Sequence, residues 1–476
     1  MTLDTEKTLV DRRWWTLAVV SAAQLLVVLD STIVNIALPS AQEALAMGDG
    51  DRHWAITAYA LTFGGLLLIG GRVSGVLGHR RAFLIGLLGF AAASALGGAA
   101  EAPGLLFAAR ALQGVFAALL APAGLSLLAT TFTGRDRGRA FGVFAAVGAA
   151  GSAVGLIAGG LLTEYAGWRW CLYVNVPVAL LAAAGGGLVP GDRPVGGRGR
   201  LDVGGALLSL TGFAALVYGF ARAESLGWQS AEVWTLLAGG LALLAAFVLV
   251  EARTAAPLLP LRVLRDRGRS AAFVAVTLLF VAIFGFYLFM SFYTQTVLGY
   301  SPVRAGLTLI VNALAALAGS MLIAGRSHGR VRPAALILPG LLAAAAGMLL
   351  LTRLDAGTSH VFVLYLLPAL VLTGLGLGCV LSPTASLATE GMRGHDVGAA
   401  SAAYNAAQQV GAALGTALLN TVAAAATATV VAASPAAAAV HGYTTALAVG
   451  AAILLAAAAL TALLLVPGRR RSRPLR

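Results

Sequence analysis

Apolar segments of about twenty residues or more follow one another along almost the whole of this 476-residue chain. Roughly 20 consecutive apolar residues are what an α-helix needs to cross the hydrocarbon of a bilayer. With no water there to satisfy backbone groups, such segments must be helical. The segments read as spans at 14–38, 54–77, 82–100, 104–132, 139–162, 170–190, 203–221, 231–250, 271–298, 303–325, 333–352, 361–383, 397–424 and 442–466. Composition agrees: 59% of residues are hydrophobic and 11% charged, against about 25% charged in soluble domains. One soluble core could not hide that much apolar surface. The expected fold class is an all-α membrane protein with fourteen transmembrane helices.

The basic residues fix the direction of each span. With the N-terminus inside, the outer connections carry only Arg52, Arg169, Arg222, Arg304 and Arg353. Apart from Arg110, the other basic residues fall on the inner side, among them Lys7, Arg12, Arg80, Arg81, Arg135, Arg137, Arg193, Arg200, Arg262, Arg330, Arg393 and the tail Arg469–Arg476. This is the positive-inside pattern. A miscounted span would scramble it partway along the chain. Both termini are therefore expected in the cytoplasm of a bacterial plasma membrane. The net charge of +13 is then a topology signal, and no nucleic-acid partner is implied; the lipid bilayer is.

A repeat is visible. GRVSGVLGHRR (71–81) and GRSHGRVRP (325–333) are short Gly/Arg-rich connections, each following the second helix of a six-helix set. The expected organisation is a cytoplasmic N-terminus (1–13), a first six-helix bundle (14–190), a linker with two inserted spans (191–270), a second bundle (271–466) and a basic tail (467–476). Parallel six-span repeats are a transporter architecture, with the substrate site between halves at the midplane.

Ionisable groups at membrane depth are costly and are functional candidates by default. Of the acidic residues only Asp30 lies well inside a span, and the only deep basic residue is Arg110. All six histidines fall in or beside loops. If protons drive this chain, Asp30 is the candidate carrier. Arg110 lies at a similar depth and can tune it, with Gln113 and Gly114 on the same helix face. A static buried pair fixing helix register is the competing reading.

The stretches LDSTIVNIALPSAQ (29–42), GRVSGVLGHRR, RALQGVFAALLAP (110–122), GSAVGLIAGG (151–160), WRWCLYVNVP (168–177) and NAAQQVGAALG (405–415) together resemble the fourteen-span drug:proton antiporters of the major facilitator superfamily. The resemblance implies that fold, two six-helix bundles plus two inserted helices. It also implies proton-coupled efflux of drug-like organic compounds by alternating access, with no cofactor beyond the proton gradient, and a monomer. It assigns Asp30 and Arg110 to proton coupling, with Gln113 and Gly114 in the same fourth-span motif. Gly71, Gly78, Arg80 and Arg81 fall on the loop motif that stabilises one conformation through charge contacts between helix ends. The chain departs there: Gly75 stands where the family usually has Asp, and Val76 where it has Arg or Lys. Contact of Arg80 or Arg81 with another helix end stays open. Gly151, Gly155 and Gly159 fall on the fifth-span motif, with Leu156 where Pro is frequent. Their four-residue spacing also suits close helix packing.

Substrate contacts are read from polar and aromatic positions. Phe286, Met290 and Tyr293 share a face of the ninth span, with Gln295 beyond, and suit a flat apolar ligand. Helix packing is the alternative. Asn312, Tyr404, Asn405 and Gln408 are polar groups at depth that either line a cavity or bond across helices. No metal-ligand spacing occurs; Cys171 and Cys379 read as small buried hydrophobes. A P-loop needs a lysine, and the only one is Lys7, which excludes an ATP-driven pump. One Asp and one Arg are too few groups for a membrane enzyme. Export of an endogenous metabolite, or proton-coupled uptake, remains as an alternative.

Overall fold

A computed structural model describes residues 2–47, 54–187, 189, 202–254, 257–258, 262–354, 360–392, 395–429 and 434–465. Arg52, Arg193, Arg198, Arg200, Arg393, most of the linker at 190–201 and the tail lie outside the described residues. The described chain is all α-helical. α1 (Thr2–Ala44) starts well before the expected span because no Gly or Pro interrupts residues 2–13. It is followed by α2 (Trp54–Leu77), α3 (His79–Gly98), α4 (Pro103–Thr131) and α5 (Gly134–Tyr165). The expected sixth segment is two pieces, α6 (Trp170–Tyr173) and α7 (Asn175–Gly186), parted at Val174. The next pair is α8 (Val203–Leu226) and α9 (Ala231–Glu251). A short α10 (Arg262–Arg265) leads into α11 (Arg267–Phe292), α12 (Pro302–Ala318), α13 (Ala334–Leu351), α14 (Leu367–Thr389), α15 (His395–Thr429) and α16 (Pro435–Leu465).

Among the described residues, eleven helices are long and apolar enough to cross a membrane, and Trp170–Gly186 and Gly204–Phe220 are shorter apolar stretches. Local chemistry sets the ends. Asp202 and Asp266 accept from the backbone N–H of Gly205 and Arg269. Ser301 caps α12 through Arg304 N–H, with Pro302 in the first turn, where its missing N–H costs nothing. Gly78 turns the chain between α2 and α3 at φ 87°, in the left-handed region that side chains avoid.

The packing repeats. In the first set α1 packs on α5 and α7, α2 on α4, and α3 on α4 and α7. In the second set α11 packs on α15 and α16, α12 on α14, and α13 on α14 and α16. The seam between the sets repeats as well: α2 meets α15 where α5 meets α12. α8 and α9 pair with each other, and α8 lies against α2 and α15. The second set alone carries π-helical turns among the described residues, at Tyr293–Val297, Gly319–Gly325 and Phe362–Leu366.

Candidate functional site

Five helices deliver one buried polar cluster inside the first set. Asp30 on α1 is fully buried, and Arg110 on α4 is 1% exposed. Arg110 Nη1 donates to Asp30 Oδ2 at 2.6 Å and to Gln113 Oε1 at 2.7 Å, while its Nε donates to the Ala55 carbonyl of α2 at 2.9 Å. Gln113 Nε2 donates to Asp30 Oδ1 at 3.0 Å and to Ser94 Oγ of α3 at 2.7 Å. Asn175, at the start of α7, donates from Nδ2 to Asp30 Oδ1 at 2.7 Å. The Arg110 guanidinium also lies over the Tyr59 ring of α2, 4.5 Å from its centroid. Both carboxylate oxygens of Asp30 thus receive donors, which is what an ionised carboxylate can accept. Gly114 makes the cluster fit: a Cβ there would lie 2.5 Å from the Tyr59 carbonyl oxygen. Thr62 closes the same α2–α4 contact by donating to the Ala111 carbonyl at 2.8 Å.

The glycines of α5 serve the neighbouring contact. Gly151 faces Val28, Gly155 faces Thr32 and the Leu29 carbonyl, and Gly159 faces Ile33. They let α1 lie against α5 on either side of Asp30. The side chain of Leu156 lies outside the described residues.

The loop residues lie elsewhere, at the end of the bundle that carries the connections near 78, 133, 326–333 and 390–392. Gly71 meets α15 backbone to backbone, and a Cβ there would sit 2.5 Å from the Gly398 carbonyl oxygen. Arg80 donates to the terminal carbonyls of α7, Gly186 at 3.2 Å and Gly187 at 2.5 Å, a favourable place for a cation. Arg81 is exposed. Side-chain contact between the sets at this end also comes from residues outside that motif. Arg137 of α5 donates to Ser386 Oγ (2.9 Å), the Ser386 carbonyl (3.1 Å) and Thr389 Oγ1 (2.6 Å) of α14. Ser320 donates to the Gly142 carbonyl at 2.9 Å, and Ser126 to Ser401 Oγ at 3.1 Å. His328 covers Gly138. Burial, and then the Arg137 cation, hold its imidazole below its ordinary range, with Glu390 opposing.

Of the two readings of the ninth-span face, substrate contact and helix packing, this conformation shows packing. Phe286, Met290 and Tyr293 are at most 2% exposed and sit in the packed core of the second set. That face is packing and lines no opening in this conformation. Gln295 bonds back to Ser291 Oγ at 2.8 Å. Asn312 is fully buried and satisfied: it donates to Thr373 Oγ1 (2.8 Å) and the Leu370 carbonyl (3.0 Å) and accepts from Tyr287 Oη (2.7 Å). The Tyr404 hydroxyl pairs with Thr384 Oγ1 at 2.9 Å. Asn405 and Gln408 are half-buried, with Asn405 Nδ2 donating to the Ser401 carbonyl at 2.9 Å.

Sequence reasoning missed Tyr59, Ser94 and Asn175. A search restricted to ionisable groups passes over neutral amides and hydroxyls. The signal was present: Asn175 interrupts an apolar stretch at depth, where a polar side chain must find a partner.

Comparison with known proteins adds the following. The sequence matches the family profile described as Major Facilitator Superfamily over residues 20–416. It is 56% identical over 413 residues to the puromycin resistance protein pur8 of Streptomyces alboniger, covering 87% of this chain and 82% of that protein. It is 39% identical over 411 residues to the cephamycin export protein CmcT of Amycolatopsis lactamdurans, covering 85% and 84%. It is 34% identical over 417 residues to the tetracenomycin C resistance and export protein of Streptomyces glaucescens, covering 86% and 76%. Among solved structures, the human organic anion transporter MFSD10 (TETRAN) superposes with a TM-score of 0.66 at 16% identity, covering 94% of this chain and 99% of that one; this likeness concerns the fold alone.

Proposed function

The chain belongs to the major facilitator superfamily, and from that premise we propose that it exports antibiotic-like organic molecules across a bacterial plasma membrane in exchange for protons. It is a multi-pass membrane transporter and not an enzyme. The proposed architecture is fourteen spans, two six-helix bundles with α8 and α9 inserted between them, both termini cytoplasmic, acting as a monomer. In that orientation the end closed by Arg137, Ser320 and Gly71 is the cytoplasmic one.

The observation that carries the proton-coupling half is the sealed pair of Asp30 and Arg110. A proton arriving from outside neutralises Asp30. Arg110 is then a buried cation without its counter-charge, a loss of about 3–5 kcal/mol for a buried pair broken on one side. A conformation in which Arg110 finds other partners becomes favourable by comparison. Re-ionisation on the cytoplasmic side restores the pair and resets the cycle. Asn405 and Gln408, half-buried on α15, are the proposed cavity-facing contacts for substrate.

The relatives favour one refinement. Their names speak of resistance to, or export of, puromycin, cephamycin and tetracenomycin C. Export of an antibiotic, whether met from outside or made by the cell itself, is the reading they support; puromycin is the first substrate to try.

The test uses purified protein in vesicles with an imposed pH gradient, screened with puromycin and a dye panel. Gradient-driven substrate movement with counterflow of protons is the expected result. Flux indifferent to the gradient would replace the antiporter by a facilitator.

A further inference from the structure

The cluster around Asp30 contains two side-chain atoms that the observed hydrogen bonds leave idle. Asn175 Oδ1 and the Tyr59 hydroxyl are buried and have no hydrogen-bond partner. A buried polar group without a partner is costly and calls for an explanation. The orientation of the Asn175 amide is fixed by its neighbour: the opposite rotamer would set Oδ1 against an oxygen of the Asp30 carboxylate. Nδ2 therefore faces Asp30 as long as Asp30 is ionised, and Oδ1 waits.

Protonation reverses that requirement. Asp30 Oδ2 faces the Arg110 guanidinium, so a proton settles on Oδ1, which faces the two neutral amides of Gln113 and Asn175. The new O–H needs an acceptor. Gln113 Oε1 already accepts from Arg110, Ser94 Oγ from Gln113, and the Ala55 carbonyl from Arg110. Two acceptors are left idle, Asn175 Oδ1 and the Tyr59 hydroxyl, and of the two residues it is Asn175 that already bonds to Asp30 Oδ1. A half-turn of the Asn175 amide about its terminal torsion, which is a soft one, presents its Oδ1. Asn175 is the first residue of α7. α7 packs on α1 and α3, and the Arg80 cap sits at its other end.

We propose that Asn175 is a positioning residue that reads the protonation state of Asp30, donating from Nδ2 to the carboxylate and accepting at Oδ1 from the acid. This rests on Asp30 being the proton carrier. Among the described residues, the titratable or charged groups facing Asp30 are Arg110 from α4 and Tyr59 from α2; α3 and α7 present the neutral Ser94 and Asn175, and α5 presents glycine.

The experiment is an infrared titration of purified protein. The Asp30 carboxyl band is identified by its loss in Asp30→Asn, so the readout needs no transport. In Asn175→Leu both hydrogen bonds disappear. The bond to the ionised form is the stronger of the two, so the titration midpoint moves to higher pH, by about half to one unit. The C=O stretch of the protonated acid moves to higher frequency because its acceptor is gone. Asn175→Ser, which keeps a donor and an acceptor in one hydroxyl, returns both toward wild type. If Asn175→Leu does not fold, Asn175→Ala removes the same two bonds. A midpoint and band unchanged in the removal variant, or a stability loss with neither moved, overturns the proposal. Failure of the coupling scheme itself shows up separately, as proton-driven transport retained in Asp30→Asn.

Discussion

The two helix sets share a packing plan and differ in what they bury at its centre. The first set holds an ion pair, Asp30–Arg110, ringed by Gln113, Ser94 and Asn175, with two idle polar atoms beside it. The second holds Tyr287, Asn312 and Thr373 on α11, α12 and α14, a neutral network in which both ends of the Asn312 amide are engaged. The equivalence reaches the glycines: Gly114 lies on the Tyr59 carbonyl as Gly374 lies on that of Asn312, and Gly155 meets α1 as Gly415 meets α11. The difference teaches where state can be stored. A satisfied neutral network has one good arrangement. A carboxylate with a counter-charge and spare hydrogen-bonding atoms has two, one for each protonation state. The second set also carries π-helical turns, which are frequent at functional sites. Charge change and backbone adaptability are thus divided between the halves.

The sharpest way to break this comparison is to strike both centres. Arg110→Gln leaves a buried carboxylate without a counter-charge and should cost about 3–5 kcal/mol, together with gradient-driven transport. Asn312→Leu should cost about 1–3 kcal/mol and leave proton coupling intact. Thermal unfolding in detergent and vesicle transport check both. Loss of coupling in Asn312→Leu would end the division of labour.

A smaller effect is expected where the halves are alike. Gly155→Leu forces a side chain against the Thr32 hydroxyl beside the Leu29 carbonyl, and Gly415→Leu forces one against the Val281 backbone. Overpacking of this kind costs about 1–3 kcal/mol, and the two variants should lower thermal stability by similar amounts. A harmless Gly155→Leu would remove the α1–α5 contact from the account.

Smaller again is the seam. Arg137→Gln removes the donors to Ser386 and Thr389 and should raise the population open at that end several-fold, read by distance labels on α5 and α14. His328 is expected to give this seam a pH dependence. Its imidazole is held below its ordinary range in the closed state, so closing is favoured while it is neutral. That contribution is present above its ordinary value of about 6.5 and is lost as pH falls through the lowered value. Acidification should therefore loosen the Gly138 contact, by less than the Arg137 variant does, and His328→Asn should flatten the response. An unchanged response in His328→Asn would assign the pH dependence to another group.

The helices were legible because a twenty-residue apolar run in lipid has one stable backbone form. Asp30 and Arg110 were legible because charge at that depth is rare. The π-helical turns were not, since they depend on packing across the set and not on local composition. Phe286, Met290 and Tyr293 show the same limit. Helical spacing puts them on one face, but only tertiary structure decides whether that face meets a core or a cavity. Gly75 signalled that the usual loop carboxylate is missing, yet nothing in the sequence pointed to Arg137 as the residue bridging to α14.

The most direct test of the central claim is substrate-triggered proton release. Puromycin added to purified protein in weakly buffered detergent, at a pH where part of the population is protonated, should release protons from wild type and none from Asp30→Asn, with binding retained in both. Equal release from the two proteins would show that the exchanged proton resides on some other group.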